Sequence, residues 1–263
     1  MCYLPKYLEN EIRKKADLVR NSSLKCVHKL ICKRLIENSI KKNAQIHSYR
    51  IEHPFSHIPH SIPTTKRDIR KGIKNLENAF RWGEKHFNPE TFDESFVRKI
   101  AAKISPKVWR DIAEYRRVTQ GVTISGSSYA PPYPQKMIDV EIPFFEKTVK
   151  EKFSSDDNDP VKQILSAAYM HFHLVRIHPF EDGNGRTART MQNIILNYYG
   201  LPPPVIESGE RETYYRCLEE AVGDWKDKGG IDAAKSATKG EGLFYSFIAG
   251  KVNASLDKVL SCD

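Results

Sequence analysis

Between His178 and Arg189 the chain reads His-Pro-Phe-Glu-Asp-Gly-Asn-Gly-Arg-Thr-Ala-Arg. This segment gathers an imidazole, an aspartate, two glycines around an asparagine, and two guanidiniums. Each type has a use beside a polyphosphate. Gly183 and Gly185 allow φ > 0 and let backbone N–H groups approach a ligand closely. The run from Thr187 to Tyr199 is predicted to be a helix, with Met191, Ile194, Ile195 and Tyr198 on one face. The glycines therefore lead into a helix N-terminus, where unpaired N–H groups and the positive dipole end favour an anion. Arg186 and Arg189 lie three residues apart, on one side of the first turn, and a guanidinium donates to phosphate in pairs. Asp182 supplies the hard oxygen that magnesium takes alongside substrate phosphates. His178 is the group in the segment that readily takes a proton near neutral pH.

Two widespread phosphate-binding patterns are excluded. The segment has no G-x-x-x-x-G-K-[ST], and His-Pro rather than a hydrophobic strand precedes its glycines, unlike a dinucleotide fingerprint. Zinc held by His171, His173 and His178 is not expected. Residues 171 and 173 do not share a helix face, and no cysteine or carboxylate completes a ligand set.

The elements that must position these groups read as helices. Leu165, Ala168, Tyr169 and Phe172 repeat at helical spacing before the segment, and the acidic turn at 154–160 starts their helix. Pro202-Pro203-Pro204 closes the helical region that follows. Further helices are predicted around Ile73, Leu76 and Phe80, around Tyr214, Tyr215 and Leu218, and from Phe244 to Leu260, where Ile248, Val252, Leu256 and Val259 recur. Residues 229–242 read as a loose small-residue connector. Residues 1–45 read as a basic helical extension whose stripe Leu24, Val27, Ile31, Leu35 is expected to pack on the main domain, with a homodimer contact as its other use. Between 118 and 140 the helical pattern stops. Val122-Thr-Ile-Ser-Gly-Ser-Ser and then Ala130-Pro-Pro-Tyr-Pro predict a short strand and turn. The expected class is mainly α with a small β-hairpin.

A chain of 263 residues with 40% hydrophobic content suits one large domain, or one domain plus an extension. No apolar run reaches membrane-spanning length, and the start lacks a signal-peptide core. Five cysteines without C-x-x-C spacing fit a reducing compartment, so a cytoplasmic setting is expected. The net charge of +9 sits partly on solvated helix faces such as Arg13-Lys14-Lys15 and Lys41-Lys42. With no recognisable DNA-reading module, neither nucleic acid nor membrane is an expected partner.

His178-x-Phe180-x-Asp182-Gly183-Asn184-Gly185-Arg186-x-x-Arg189 resembles the signature loop of the Fic (filamentation induced by cAMP) family at all eight of its positions. The resemblance extends over roughly residues 45–260. It implies a Fic-type helical domain at 46–263, behind the extension at 1–45. It also implies a protein adenylyltransferase, moving AMP from Mg-ATP to a Ser, Thr or Tyr hydroxyl of a target protein, or of the chain itself. Carried onto these positions, the resemblance makes His178 the general base and Asp182 the magnesium ligand. Asn184 and the amides of the Gly183–Gly185 loop would hold the α-phosphate, Arg186 the β-phosphate and Arg189 the γ-phosphate, with Phe180 anchoring the loop. Tyr215 is a candidate for the nucleobase pocket, and an ordinary core or surface tyrosine is the other reading. The 118–140 region resembles the family's flap, whose strand edge would pair with the target's backbone. Ser48-Tyr-Arg-Ile-Glu52-His53 resembles the inhibitory helix motif [S/T]-x-x-x-E-[G/N], with His53 where the family has Gly or Asn. Ser48 and Glu52, four apart, share a helix face, and Glu52 would occupy Arg189. Two alternatives stay open. One is a related transferase using another nucleotide or moving a group such as phosphocholine. The other is a nucleotide-sensing or partner-binding protein with Glu52 closed over the loop. The presence of both His178 and Asp182 favours an enzyme.

Overall fold

The computed structural model describes residues 4–21, 27–52, 65–105, 111–117, 129–155, 158–233 and 237–261. In chain order the helices are α1 (Lys6–Asn21), α2 (Val27–Glu52), α3 (Lys66–His86), α4 (Glu94–Ile104), α5 (Pro134–Lys136), α6 (Ile142–Ser154), α7 (Pro160–Ile177), α8 (Asn184–Tyr198), α9 (Arg211–Asp227) and α10 (Lys239–Leu260).

Helix α7 is the axis of the molecule. Its sequence is apolar nearly all round, and from Ser166 to Ile177 every residue is buried, as expected of a helix enclosed on all sides. The acidic turn starts it as expected. Asp159 accepts from the Val161 N–H and Pro160 takes the first helical position. Helix α8 packs along α7 and is almost as enclosed. Helices α3 and α4 pack on one another and on α8, whereas α1 and α10 pack on each other and on α7, and α9 lies along α10. Leu8, Ile12, Ala16 and Val19 of α1 belong to the same core as α7 and α10. Helix α2 lies against α3, α8 and α10. It passes through residue 45 without a break, so the end of the basic extension, from Val27, and the Ser48–Glu52 segment are one continuous helix.

Several expectations are corrected. Of the apolar stripe, Ile31 and Leu35 are 52% and 64% exposed, while Leu24 and the Val27 side chain fall outside the described residues. Among the described side chains of α2, the buried face begins at Ile40 and continues through Ala44, Ser48, Tyr49 and Ile51. No strand occurs among the described residues. Of the expected hairpin, residues 118–128 lie outside them, and its end is helical: α5 runs through a π turn at Met137–Glu141 into α6. Buried Met137, Glu141, Phe145 and Val149 recur every four residues there, a helical period already begun inside the expected hairpin. The expected 229–242 connector is also partly helix. Thr238 and Glu241 form a reciprocal capping box that starts α10 at Lys239. Helix α8 starts three residues earlier than expected, at Asn184, and Tyr198 on its last turn is half exposed.

Gly83 marks where α3 meets α8. A Cβ there would stand 2.2 Å from Ile194 Cδ1. Gly83→Ala is expected to destabilise the protein by about 1–3 kcal/mol through overpacking, lowering the melting temperature by several degrees. A thermal melt at or above that of the wild type would contradict this packing.

Candidate active site

The chain leaves α7, fully buried, and enters α8, also buried, within the six residues 178–183. His178 makes the turn in the left-handed region, at φ 51°, ψ 56°. Arg116, 1% exposed, fixes that turn. Its Nε donates to the His178 carbonyl at 2.7 Å, and its Nη2 reaches the carbonyls of Ile177 and Pro132. Its own N–H donates to the Pro179 carbonyl at 2.9 Å. The guanidinium thus serves the carbonyls that the C-terminus of α7 leaves unpaired, at the negative end of its dipole. Phe180, 3% exposed, stacks on Tyr115 at 6.1 Å between centroids. The Asn184 amide accepts from the Phe180 N–H at 2.8 Å and donates to the Phe180 carbonyl at 2.7 Å. This side chain therefore staples the loop, leaving backbone N–H groups at the start of α8 for an anion. Gly183 takes φ 78°, and a Cβ there would meet Ser105 Oγ at 2.8 Å.

His178 is half-buried. Burial pushes its pKa down to about 4, and the charge of Arg116 adds to the effect. Its imidazole is consequently neutral at pH 7 and free to accept a proton. The Asp182 side chain is 67% exposed. Burial acts to raise its carboxyl pKa, but the charge of Arg186 and hydrogen bonds from Ser105, Arg186 and the Gly183 N–H outweigh this and hold it below the ordinary value. Ser105 Oγ donates to it at 2.8 Å, and Arg186 Nη2 contacts both its oxygens at 2.9 and 3.0 Å.

Glu52 closes the site. Its two carboxylate oxygens are divided between the loop arginines: Arg186 Nε donates at 2.8 Å and Arg189 Nη2 at 2.7 Å. Arg189 also donates to Ser48 Oγ at 2.9 Å, the Ser48 carbonyl at 3.0 Å and Tyr214 Oη at 3.1 Å. Burial opposes charge on both guanidiniums, yet Glu52 with Asp182 on Arg186, and Tyr214 with Glu52 on Arg189, keep both pKa values raised. Gly185 makes the contact possible. A Cβ on it would stand 2.3 Å from Glu52 Oε1. Tyr215 sits beside the end of α2. The Arg211 guanidinium lies 4.7 Å from its ring centroid while Arg211 Nε donates to the Ile51 carbonyl at 2.8 Å.

The structure thus brings together Ser48, Glu52, His178, Asp182, Gly183, Asn184, Gly185, Arg186 and Arg189, with Tyr215 at the edge. Among the described residues no group of three His, Cys, Asp or Glu side chains is arranged for a metal. His171 and His173 are interior residues, hydrogen-bonded to Gln192 with Tyr214 and to Arg176 respectively. Sequence reasoning missed Ser105, Arg116 and Tyr214 as parts of the site. Arg116 answers to backbone carbonyls, which carry no side-chain spacing to read. Tyr214 occupied a helical apolar position that hid its hydroxyl.

Comparison with known proteins follows this geometry. Residues 91–196 match the Fic/DOC family. It is 39% identical over 95 residues to a protein adenylyltransferase Fic of Nematostella vectensis, covering 36% of this chain and 21% of that one. It is 27% identical over 232 residues to the protein of that name in Drosophila erecta, covering 78% and 45%. The chain thus spans less than half of these curated relatives. A solved Fic domain-containing signaling protein of Bacteroides thetaiotaomicron shares the fold at a TM-score of 0.73 and 20% identity, over 96% of both chains. Among the described residues no helix is long and apolar enough to cross a membrane.

Arg116→Met is expected to leave buried carbonyls without a donor. It should cost about 1–3 kcal/mol in denaturant unfolding and loosen the loop, read as faster amide exchange at residues 178–184. Unchanged exchange there would remove Arg116 from this role.

Proposed function

We propose that the protein is a Mg-ATP-dependent protein adenylyltransferase held off by Glu52. The observation that carries this reading is one carboxylate shared between two arginines at the mouth of an anion-binding loop. Glu52 lies at 2.7 and 2.8 Å from groups that would otherwise take phosphates. Relatives named protein adenylyltransferase support the same chemistry.

In this reading the loop amides hold the α-phosphate, while Arg186 and Arg189 hold the phosphates beyond it once Glu52 leaves. Fixed donors aimed at developing charge account for most of the acceleration expected of such a site. His178, neutral, takes the proton of a target Ser, Thr or Tyr hydroxyl as its oxygen bonds to the α-phosphorus. The bond from the α-phosphorus to the bridging oxygen breaks, and pyrophosphate departs. Asp182 suits magnesium because it is one exposed carboxylate with both oxygens already held in place, and that ion takes its remaining ligands from phosphates and water. Bound magnesium would offset phosphate charge. Tyr215 would face the base.

Ser48 favours a second reading. Its hydroxyl and carbonyl hold Arg189 independently of Glu52, which would suit a nucleotide-sensing protein that stays closed.

Wild type, Glu52→Gly, and Glu52→Gly with His178→Ala, incubated with Mg²⁺ and α-labelled ATP and read by intact mass, separate these readings. Glu52→Gly is expected to raise AMP incorporation about tenfold or more. Adding His178→Ala should remove about two to four orders of magnitude. Nucleotide binding without label in any variant would favour the sensor, and label with a different nucleoside triphosphate would redefine the donor. The pH profile gives an independent check. A base whose pKa is depressed to about 4 loses activity only as pH falls toward that value. Transfer should therefore persist well below the ordinary histidine pKa of about 6.5, and an acid limb centred near that value would remove His178 from the role.

A further inference from the structure

Arg189 has a second set of partners that does not involve α2. Its Nη1 donates to Tyr214 Oη at 3.1 Å. Tyr214 Oη lies 2.8 Å from His171 Nε2, and His171 Nδ1 lies 2.7 Å from Gln192 Oε1. All three side chains are 1% exposed or less, and Phe244 packs edge-on against the imidazole at 5.2 Å. The direction of every bond in this chain is fixed by its first member. A guanidinium only donates, so Tyr214 Oη accepts from Arg189 and turns its own hydrogen to His171 Nε2. That nitrogen must then be bare, and Nδ1 carries the proton that Gln192 Oε1 accepts. The imidazole has to be neutral for this to hold, and burial pushes its pKa down to about 3.

We propose that His171, with Tyr214, is a positioning device that aims the Arg189 guanidinium at a nucleotide phosphate once Glu52 has withdrawn. The members stand on α7, α8 and α9, helices of the core, whereas Ser48 and Glu52 stand on α2. Departure of α2 removes the Ser48 and Glu52 partners of Arg189 and leaves the Tyr214 bond intact. Without that bond, a long side chain released from its carboxylate has several rotamers to sample before it meets a ligand. With it, one nitrogen stays fixed and Nε and Nη2 remain free for a bidentate phosphate contact. This rests on the adenylyltransferase reading for the identity of the ligand, but not for the geometry of the rack.

The test compares Tyr214→Phe with its parent, both in a Ser48→Ala, Glu52→Gly background that strips both α2 side chains from Arg189, by titration calorimetry with Mg-ATP and with Mg-ADP. Loss of the rack is expected to raise Kd for ATP about tenfold, the effect of one charge-assisted hydrogen bond, while ADP, which lacks the γ-phosphate assigned to Arg189, moves by less than about twofold. Equal weakening of both nucleotides means a structural lesion and overturns the proposal, as does no change in either. A second measurement needs no variant to fold. Nitrogen-15 spectra of the wild-type protein should show His171 protonated on Nδ1 and bare on Nε2, and a proton on Nε2 overturns the proposed bond order. Should the parent bind neither nucleotide, the adenylyltransferase reading fails, and the protonation site of His171 still decides whether the rack exists.

Discussion

The chain has to pass from one buried helix to another in six residues, and the site follows from that constraint. A helix end inside a protein exposes carbonyls that water cannot reach, and the start of the next exposes N–H groups in the same condition. The two ends are handled differently. At the end of α7 the carbonyls are closed off by Arg116, a full charge with backbone partners. At the start of α8 the N-cap residue, Gly183, makes no side-chain cap, and Asn184 spends its amide on Phe180. The result is a turn with one side closed by Arg116 and the other facing the start of α8, the side that would receive an anion on the proposed function.

Two guanidiniums beside that opening sharpen the problem. Arg186 and Arg189 are nearly buried, and a buried cation without a counter-charge is costly. In this structure the compensation comes from Asp182, Glu52 and the dipoles of Ser48 and Tyr214. Only Asp182 belongs to the loop. Glu52 and Ser48 arrive on α2, a helix with Ile31 and Leu35 exposed and Ser48, Tyr49 and Ile51 buried near its end. The resting state of the loop thus depends on an element distant in sequence, and the loop's charge adds to the burial of Tyr49 and Ile51 and the Arg211 hydrogen bond in holding the last turn of α2.

The sequence carried the loop residues plainly because their types are chemically mixed and locally spaced, and the 178–189 stretch did not need the fold to be read. The helices around α7, α9 and α10 were legible from apolar periodicity. The start of α10 was not, because the small residues around 229–242 masked the Thr238–Glu241 box. The stripe on α2 misled for a different reason. Periodicity reports an apolar face, but whether Ile31 and Leu35 find a neighbour depends on where the helix lies. Ser48 and Glu52 could be placed on one face from spacing alone. That Glu52 spans both arginines rather than Arg189 alone could not, because it depends on the bare backbone of Gly185 beside it.

That bare backbone has a thermodynamic meaning. With no side chain at 185 the Glu52 carboxylate lies directly against the loop backbone, the volume that an incoming anion would take on the proposed function. On the proposed function, Glu52 would act as a competitive inhibitor tied to its own binding site, present at an effective concentration set by the stiffness of α2 rather than by diffusion. Any anion entering the loop binds with its intrinsic affinity multiplied by the fraction of time the carboxylate is away. Tightening or loosening α2 therefore scales all such ligands by one factor and leaves the order among them unchanged.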